Sequence, residues 1–173
     1  MYKKLNLSEL VLLIDEPNRS CCHALLEDHG EIIQRAPGSL IKHQAWPGGY
    51  KDHLEQMMNW GIKTYRDMQQ EYHLPFSISD FILVQFLHDI EKPFKYIGGN
   101  TSLKNEEEKW KFLQHIVEHY RFTLTDEHWN GLKYIHGEGE AYNPAFRVQT
   151  ELAAFCHICD VVSARILYAH PKH

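Results

Sequence analysis

Long hydrophobic runs are missing from this sequence, and no apolar stretch approaches the roughly 20 residues needed to cross a bilayer. The initial segment MYKKLNLSEL also lacks the apolar core and small-residue cleavage site of a signal peptide. These two absences predict a cytoplasmic protein with no membrane partner. Positive charge is scarce as well, because 18 Lys and Arg residues face 23 Asp and Glu residues, for a formal net charge of −5. That balance disfavours a module that binds duplex nucleic acid.

Cysteine is equally sparse, with four residues in two close pairs, Cys21 with Cys22 and Cys156 with Cys159. Such clustering favours reduced thiols over the disulfide framework of a secreted protein. The CHIC segment could suggest zinc, but no second Cys/His pair has matching spacing, so we predict that Cys156 and Cys159 are small packing residues. The sequence also lacks the G-x-x-x-x-G-K-[ST] loop and the G-x-S-x-G elbow, which argues against a P-loop and an α/β-hydrolase nucleophile.

Apolar positions at helical spacing dominate what is present, whereas sustained alternation with a period of two is almost absent. The longest predicted helices cover residues 50–71, 81–90, 106–120 and 148–168. Thr125 resembles the first residue of a capping box, but His128 replaces the usual Glu, so only the Thr half is expected. We therefore predict one all-α domain over residues 1–173, a compact bundle of about six to eight helices.

Histidine is abundant, with 13 residues in 173, and imidazole is the commonest metal ligand in proteins. Three predicted helices place a ligand-type side chain on or beside an apolar face: His53, the adjacent pair His88 and Asp89, and Asp160. A carboxylate inside the apolar segment AAFCHICDVVSARI needs a compensating positive charge. A divalent cation held by two imidazoles and two carboxylates would supply it. The alternative is that each is a hydrogen-bonded core residue.

The order and flanks of these residues resemble the HD-domain metal-dependent phosphohydrolases over residues 41–167. The segments that carry the likeness are KHQAWPGGYKDHL, LHDIEKP and ICDVVSARI. The resemblance implies that His53, His88, Asp89 and Asp160 bind one divalent metal ion, which activates a water molecule to cleave a phosphate mono- or diester. The expected substrate is a nucleotide or another small phosphate ester. The ligand set does not choose among Mn, Fe, Co, Ni, Zn and Mg.

Several further roles follow from the same likeness. Asp89 would also hold the attacking water, and Lys92 and His136 would contact the substrate phosphate and assist catalysis. His43, just before the Gly-Gly turn, is a candidate substrate-binding residue. His136 could instead join His115 and His119 around a second metal, or simply cap the preceding helix. Glu91 could be a general acid or base or support a ligand, but we expect it to lie at an exposed helix end. Arg165 is expected to be a surface or ion-pair residue, and Lys92 could be a solvated turn residue.

Three functions remain open from the sequence. The first is the phosphohydrolase, and the second is a catalytically silent domain that senses a metal or nucleotide. The third is a di-iron oxygenase, which requires His115, His119 and His136 to converge. A homodimer is also left open.

Overall fold

In a computed structural model, which describes residues 3–167, this part of the chain forms eight α-helices and no strand. The helices are α1 (Leu7–Val11), α2 (Asn18–Arg35), α3 (Gly49–Glu71), α4 (Ile78–Leu87), α5 (Glu91–Tyr96), α6 (Glu106–Tyr120), α7 (Asp126–Tyr134) and α8 (Glu151–Val161). A π-helical turn, Val162–Ile166, extends α8, and a 3-10 turn covers Gly139–Ala141. The all-α prediction is confirmed. The last helix begins three residues later than predicted, and Tyr168, its predicted end, lies outside the described residues.

Side-chain caps define where several helices begin. Asn6, Ser77 and Asn105 cap α1, α4 and α6, each with an acidic residue that completes a capping box. The prediction of a half-formed box at α7 is wrong, because His128 Nδ1 accepts a hydrogen bond from the Thr125 amide at 3.0 Å. The lone pair of an imidazole nitrogen can thus take the place of a carboxylate oxygen.

Helix α4 is the centre of the bundle, and its residues 81–87 are all buried. It packs against α3, α7 and α8. Glycines allow α3 and α7 to approach α4 closely. A Cβ on Gly61 of α3 would lie 2.2 Å from the Phe81 ring of α4. A Cβ on Gly131 of α7 would lie 3.1 Å from the Val84 methyl groups. Helix α4 also packs against α8, and the candidate site lies beyond its carboxyl end, between α3 and α8.

The predicted packing role of the two α8 cysteines is confirmed, because Cys156 and Cys159 are both free thiols with no exposed surface. Within residues 3–167, none of the helices combines the length and the apolar character needed to cross a membrane.

Candidate metal centre

The four predicted ligands come together where α3, the end of α4 and α8 meet. His53 lies in the second turn of α3, His88 caps α4, Asp89 follows it, and Asp160 is near the end of α8. His53 Nε2 lies 3.2 Å from Asp160 Oδ1, and His88 Nε2 lies 3.3 Å from Asp89 Oδ2. The ring centroids of His53 and His88 are 5.6 Å apart. All four residues are buried, with Asp160 the most exposed at 9%.

The buried ring nitrogens of this cluster have the chemistry of a metal site. His53 Nε2 and His88 Nε2 are both buried, and neither has a partner with hydrogen-bond geometry among the described residues. The Nδ1 of His88 lies 2.7 Å from the Gln85 carbonyl, which can only accept, so this nitrogen carries the proton. The lone pair of the neutral ring is therefore on Nε2, facing the Asp89 carboxylate. Because two electron-rich atoms repel each other, the arrangement fits a cation between them, either a proton or a metal ion.

The same geometry recurs in two overlapping groups of possible ligands. Donor atoms of His53, His88 and Asp89 all lie within 4.8 Å of one another, and so do donor atoms of His88, His136 and Asp160. Two imidazoles with two carboxylates suit a first-row divalent metal such as Mn²⁺, Fe²⁺, Co²⁺, Ni²⁺ or Zn²⁺. The residues present could therefore hold such an ion.

The local electrostatic environment shifts the pKa values of three of these side chains. Burial lowers the pKa of His53 to about 4, so this ring is neutral at pH 7, the form that binds metals. Burial opposes ionisation of Asp89 too, but the Lys92 ammonium 2.5 Å away and His88 hold the pKa of Asp89 well below its usual value. For His88, burial acts to lower the pKa, yet the Asp89 carboxylate raises it overall. A proton and a metal ion would thus compete for the His88 lone pair.

A hydrogen-bond network behind the cluster fixes the orientation of His53. Its Nδ1 lies 2.9 Å from Ser163 Oγ, and Ser163 Oγ donates to Gln56 Oε1 at 3.0 Å. Gln44 Nε2 donates to the same Gln56 oxygen at 2.7 Å, while Gln44 Oε1 is 2.8 Å from His43 Nδ1. A consistent set of donors places a proton on Nδ1 of both histidines and leaves their Nε2 lone pairs free. Such partners orient metal ligands and raise their basicity.

The Gly-Gly turn makes this network possible. Gly48 has φ +84°, and a Cβ on Gly49 would lie only 1.8 Å from the Gln44 carbonyl oxygen. Gln44 itself is fully buried at φ 40°, a left-handed conformation that is uncommon for a residue other than glycine. The segment from His43 to Gly49 can therefore fold tightly against the start of α3, which carries His53.

The other predicted site residues divide into two groups. Lys92, His43 and His136 surround the same cavity as the metal cluster, and His136 Nε2 lies 3.8 Å from Asp89 Oδ1. In contrast, His115 and His119 are exposed on α6 with ring centroids 5.9 Å apart. Neither belongs to a group of possible metal ligands within residues 3–167.

The expectation for Glu91 is wrong, because this residue is only 7% exposed. It begins α5, which packs against α2 and α6, and these neighbours cover the helix end that the sequence suggested would face water. Burial, followed by the nearby Asp89 carboxylate, raises the pKa of Glu91 to about 7.

A cavity of about 680 Å³ opens over the cluster. Several basic side chains line it, although the chain as a whole has a net negative charge. Its cationic or imidazole lining residues are Lys42, Lys92, Arg165, His43, His136 and His157. Arg165 is exposed, as expected, but it also lines this cavity. Such a lining favours an anion next to the metal ligands.

Sequence reasoning missed several residues of this site. His157 precedes Asp160 by three positions and so shares its helix face, a spacing that could have identified it. Its Nδ1 lies 2.6 Å from the Ile135 carbonyl, which places the proton on that nitrogen. Lys42 and Ser163 lie inside two of the motif segments, but the motifs assign them no role, and Ser163 contacts His53 across 110 positions of the chain.

Comparison with known proteins gives one informative relative. Over 80 residues the chain is 28% identical to the dihydroneopterin 2′,3′-cyclic phosphate phosphodiesterase of Methanocaldococcus jannaschii. The alignment covers 46% of this chain and 32% of the relative, so it spans about a third of that protein's length. No family model and no solved structure matches the chain.

Proposed function

We propose that this protein is a metal-dependent phosphohydrolase that cleaves a phosphate mono- or diester of a nucleotide or similar small molecule. The observation that carries the proposal is the convergence of His53, His88, Asp89 and Asp160, with buried ring lone pairs directed at carboxylates, beneath a cation-lined cavity. Two further points support it: the resemblance of the ordered motifs to HD-domain phosphohydrolases, and the partial similarity to a phosphodiesterase.

Each residue has a distinct role in this proposal. His53, His88, Asp89 and Asp160 would hold the metal ion, which when bound polarises the phosphoryl group and lowers the pKa of a bound water. Lys92, already paired with Asp89, and Arg165 would orient the phosphate oxygens.

The proton transfers can be assigned to groups that face the cavity. In this proposal Asp89 would hold the attacking water, whose proton leaves to solvent, and His136, 3.8 Å from Asp89, would donate a proton to the departing alcohol. A bond from the water oxygen to phosphorus forms while the ester P–O bond breaks, which gives a phosphate and an alcohol. A cyclic diester would give a monoester.

Hydrolysis assays with single-site variants test the proposal. The purified protein, supplied separately with Mn²⁺, Co²⁺, Ni²⁺, Zn²⁺, Fe²⁺ or Mg²⁺, should hydrolyse at least one of a panel of nucleoside monophosphates, 2′,3′-cyclic nucleotides and bis(p-nitrophenyl) phosphate. Asp89→Asn and Asp160→Asn should each lower kcat/KM by more than about a hundredfold, since loss of a residue that merely supports a ligand costs about 10- to 100-fold. Asp80→Asn, at the opposite end of α4, is the matched control and should retain activity.

Two results would contradict this function. The first is full activity in a variant shown by elemental analysis to bind no metal. The second is a complete lack of hydrolysis while metal or nucleotide still raises the melting temperature, which would identify a sensor domain. Two bound irons per chain would instead favour oxygen chemistry.

A further inference from the structure

A second cavity, of about 410 Å³, adjoins the metal cluster and differs in character from the first. The two cavities share Asp89 and His136, and His88 also lines the second. A phosphate ester whose phosphorus atom lies near these shared residues could therefore extend into both cavities. The volume lies within the range of small-molecule binding sites, about 300 to 1,000 Å³.

The linings of the two cavities suit different chemical groups. The first is lined by imidazoles, cations and the Asp89 and Asp160 carboxylates, with only two aliphatic residues, Val161 and Ala164. The second also has charged residues and histidines, but it adds an indole and two leucines, from Trp110, Leu113 and Leu132. The first lining favours the phosphate, whereas an aromatic and apolar wall favours the face of a planar ring.

Trp110 is held firmly enough to serve as such a wall. Its indole is half-buried and packs against Trp129, with ring centroids 5.6 Å apart and an interplanar angle of 57°. Polar groups lie in the same cavity, because Glu91 is buried there and Lys109, whose side chain is 28% exposed, forms an ion pair there with Glu106. A carboxyl and an ammonium group can bond the donors and acceptors at the edge of a heterocycle.

We propose that the second cavity binds the planar heterocyclic ring of the substrate's alcohol half, stacked on Trp110, while the phosphate lies over the metal ligands in the first cavity. The inference rests on the proposed function and narrows its substrate class to phosphate esters of ring-bearing alcohols, such as nucleosides. Glu91 and Lys109 would then select among rings through hydrogen bonds at their edges.

Two cyclic phosphates with the same reacting five-membered ring provide the test. Adenosine 2′,3′-cyclic phosphate carries a heterocycle, and glycerol 1,2-cyclic phosphate does not. The measured quantity is kcat/KM for the adenosine ester divided by kcat/KM for the glycerol ester. A mutation that damages the reaction of both substrates equally leaves this ratio unchanged. Trp110→Ala should lower this ratio about 5- to 150-fold, the range that stacking of one base on an aromatic side chain is typically worth. Trp110→Phe keeps a ring and should restore most of it.

Trp60→Ala is the matched control, because Trp60 is a half-buried tryptophan of α3 that lines neither cavity. The ratio should stay unchanged in this variant. An equal fall of the ratio for Trp60→Ala and Trp110→Ala, or no fall for Trp110→Ala, would overturn the ring site even with hydrolysis intact.

Binding of adenosine, measured by calorimetry, separates the ring site from the reaction. Adenosine has no phosphate, so its affinity should depend on Trp110 and exceed that of glycerol. Failure of the wild-type protein to bind adenosine would refute the ring site and leave the phosphohydrolase proposal standing. Adenosine binding that Trp110→Ala weakens, in a protein inactive toward every phosphate ester, would support the ring site while the proposed function failed.

Discussion

Helix α4 has a histidine and aspartate pair at each end, and the two pairs differ in how their polar atoms are satisfied. At the amino end, His128 Nε2 lies 2.9 Å from Asp80 Oδ1, and His128 Nδ1 accepts from the Thr125 amide. The other Asp80 oxygen accepts from the amide and hydroxyl of Ser77. Every one of these ring and carboxylate atoms thus has a partner, so this pair joins the starts of α4 and α7.

At the carboxyl end of α4, histidines and aspartates also meet, but some of their polar atoms have no hydrogen-bond partner within residues 3–167. His53 and His88 each have Nδ1 engaged, by Ser163 and by the Gln85 carbonyl, while Nε2 faces a carboxylate without hydrogen-bond geometry. A buried histidine and aspartate therefore do not by themselves indicate a metal site. What distinguishes the two ends is the unsatisfied lone pair on each imidazole Nε2 at the carboxyl end. A histidine and aspartate whose polar atoms already have hydrogen-bond partners gain nothing from a cation.

The largest expected effect comes from adding metal to variants of the two ends. In the wild-type protein, Mn²⁺ or Zn²⁺ at 100 times its dissociation constant should stabilise the fold by about 2.7 kcal/mol. His53→Ala should abolish most of that gain, whereas His128→Ala should lower the initial stability but keep the gain. Melting temperature measured with and without metal checks this. Equal metal-induced shifts in the two variants would contradict the comparison.

A smaller effect is expected from the network that holds His53. Ser163→Ala removes the acceptor for the His53 Nδ1 proton and should weaken metal affinity about 10- to 100-fold. Ser77→Ala is the control at the other end of α4, where loss of the cap should cost about 1 kcal/mol of stability and leave metal affinity unchanged. Calorimetric titration with the metal measures both. Wild-type affinity in Ser163→Ala would show that the network does not position the ligand.

The smallest expected effect is a pH dependence at the amino end. The hydrogen bond from His128 lowers the pKa of Asp80 from 3.8 to about 2. Because the folded-state pKa lies below the unfolded one, this stabilisation is fully present above pH 4 and disappears as the pH falls through 2. The side chain is 36% exposed, so solvent screening keeps the contribution to about 1 kcal/mol or less.

Asp80→Asn should therefore be less stable than wild type at pH 6, and the difference should shrink between pH 4 and pH 2. Urea unfolding at several pH values measures it. A difference that stays constant across this range would show that the charge of Asp80 is not the cause.

The fold followed from local patterns, whereas parts of the site depended on contacts that no pattern reports. Helical spacing of apolar residues was enough to predict an all-α bundle. His128 at the start of α7 was misjudged because its imidazole accepts in place of a glutamate, and Glu91 was misjudged because distant helices cover it. Both errors concern side chains whose environment is set by residues far away in the chain.

Local properties of the chain are enough to predict the helical architecture, through periodicity, and the candidate ligands His53, His88, Asp89 and Asp160, through an acidic residue in an apolar segment and the ordered motifs. The packing of the helices sets which histidines converge, since His136 Nε2 lies 3.8 Å from Asp89 Oδ1 while His115 and His119 remain on an exposed face. It also supplied Ser163, Gln44 and the two cavities. Their physical basis is the close packing of α3, α4 and α8, which brings together atoms that are more than a hundred residues apart.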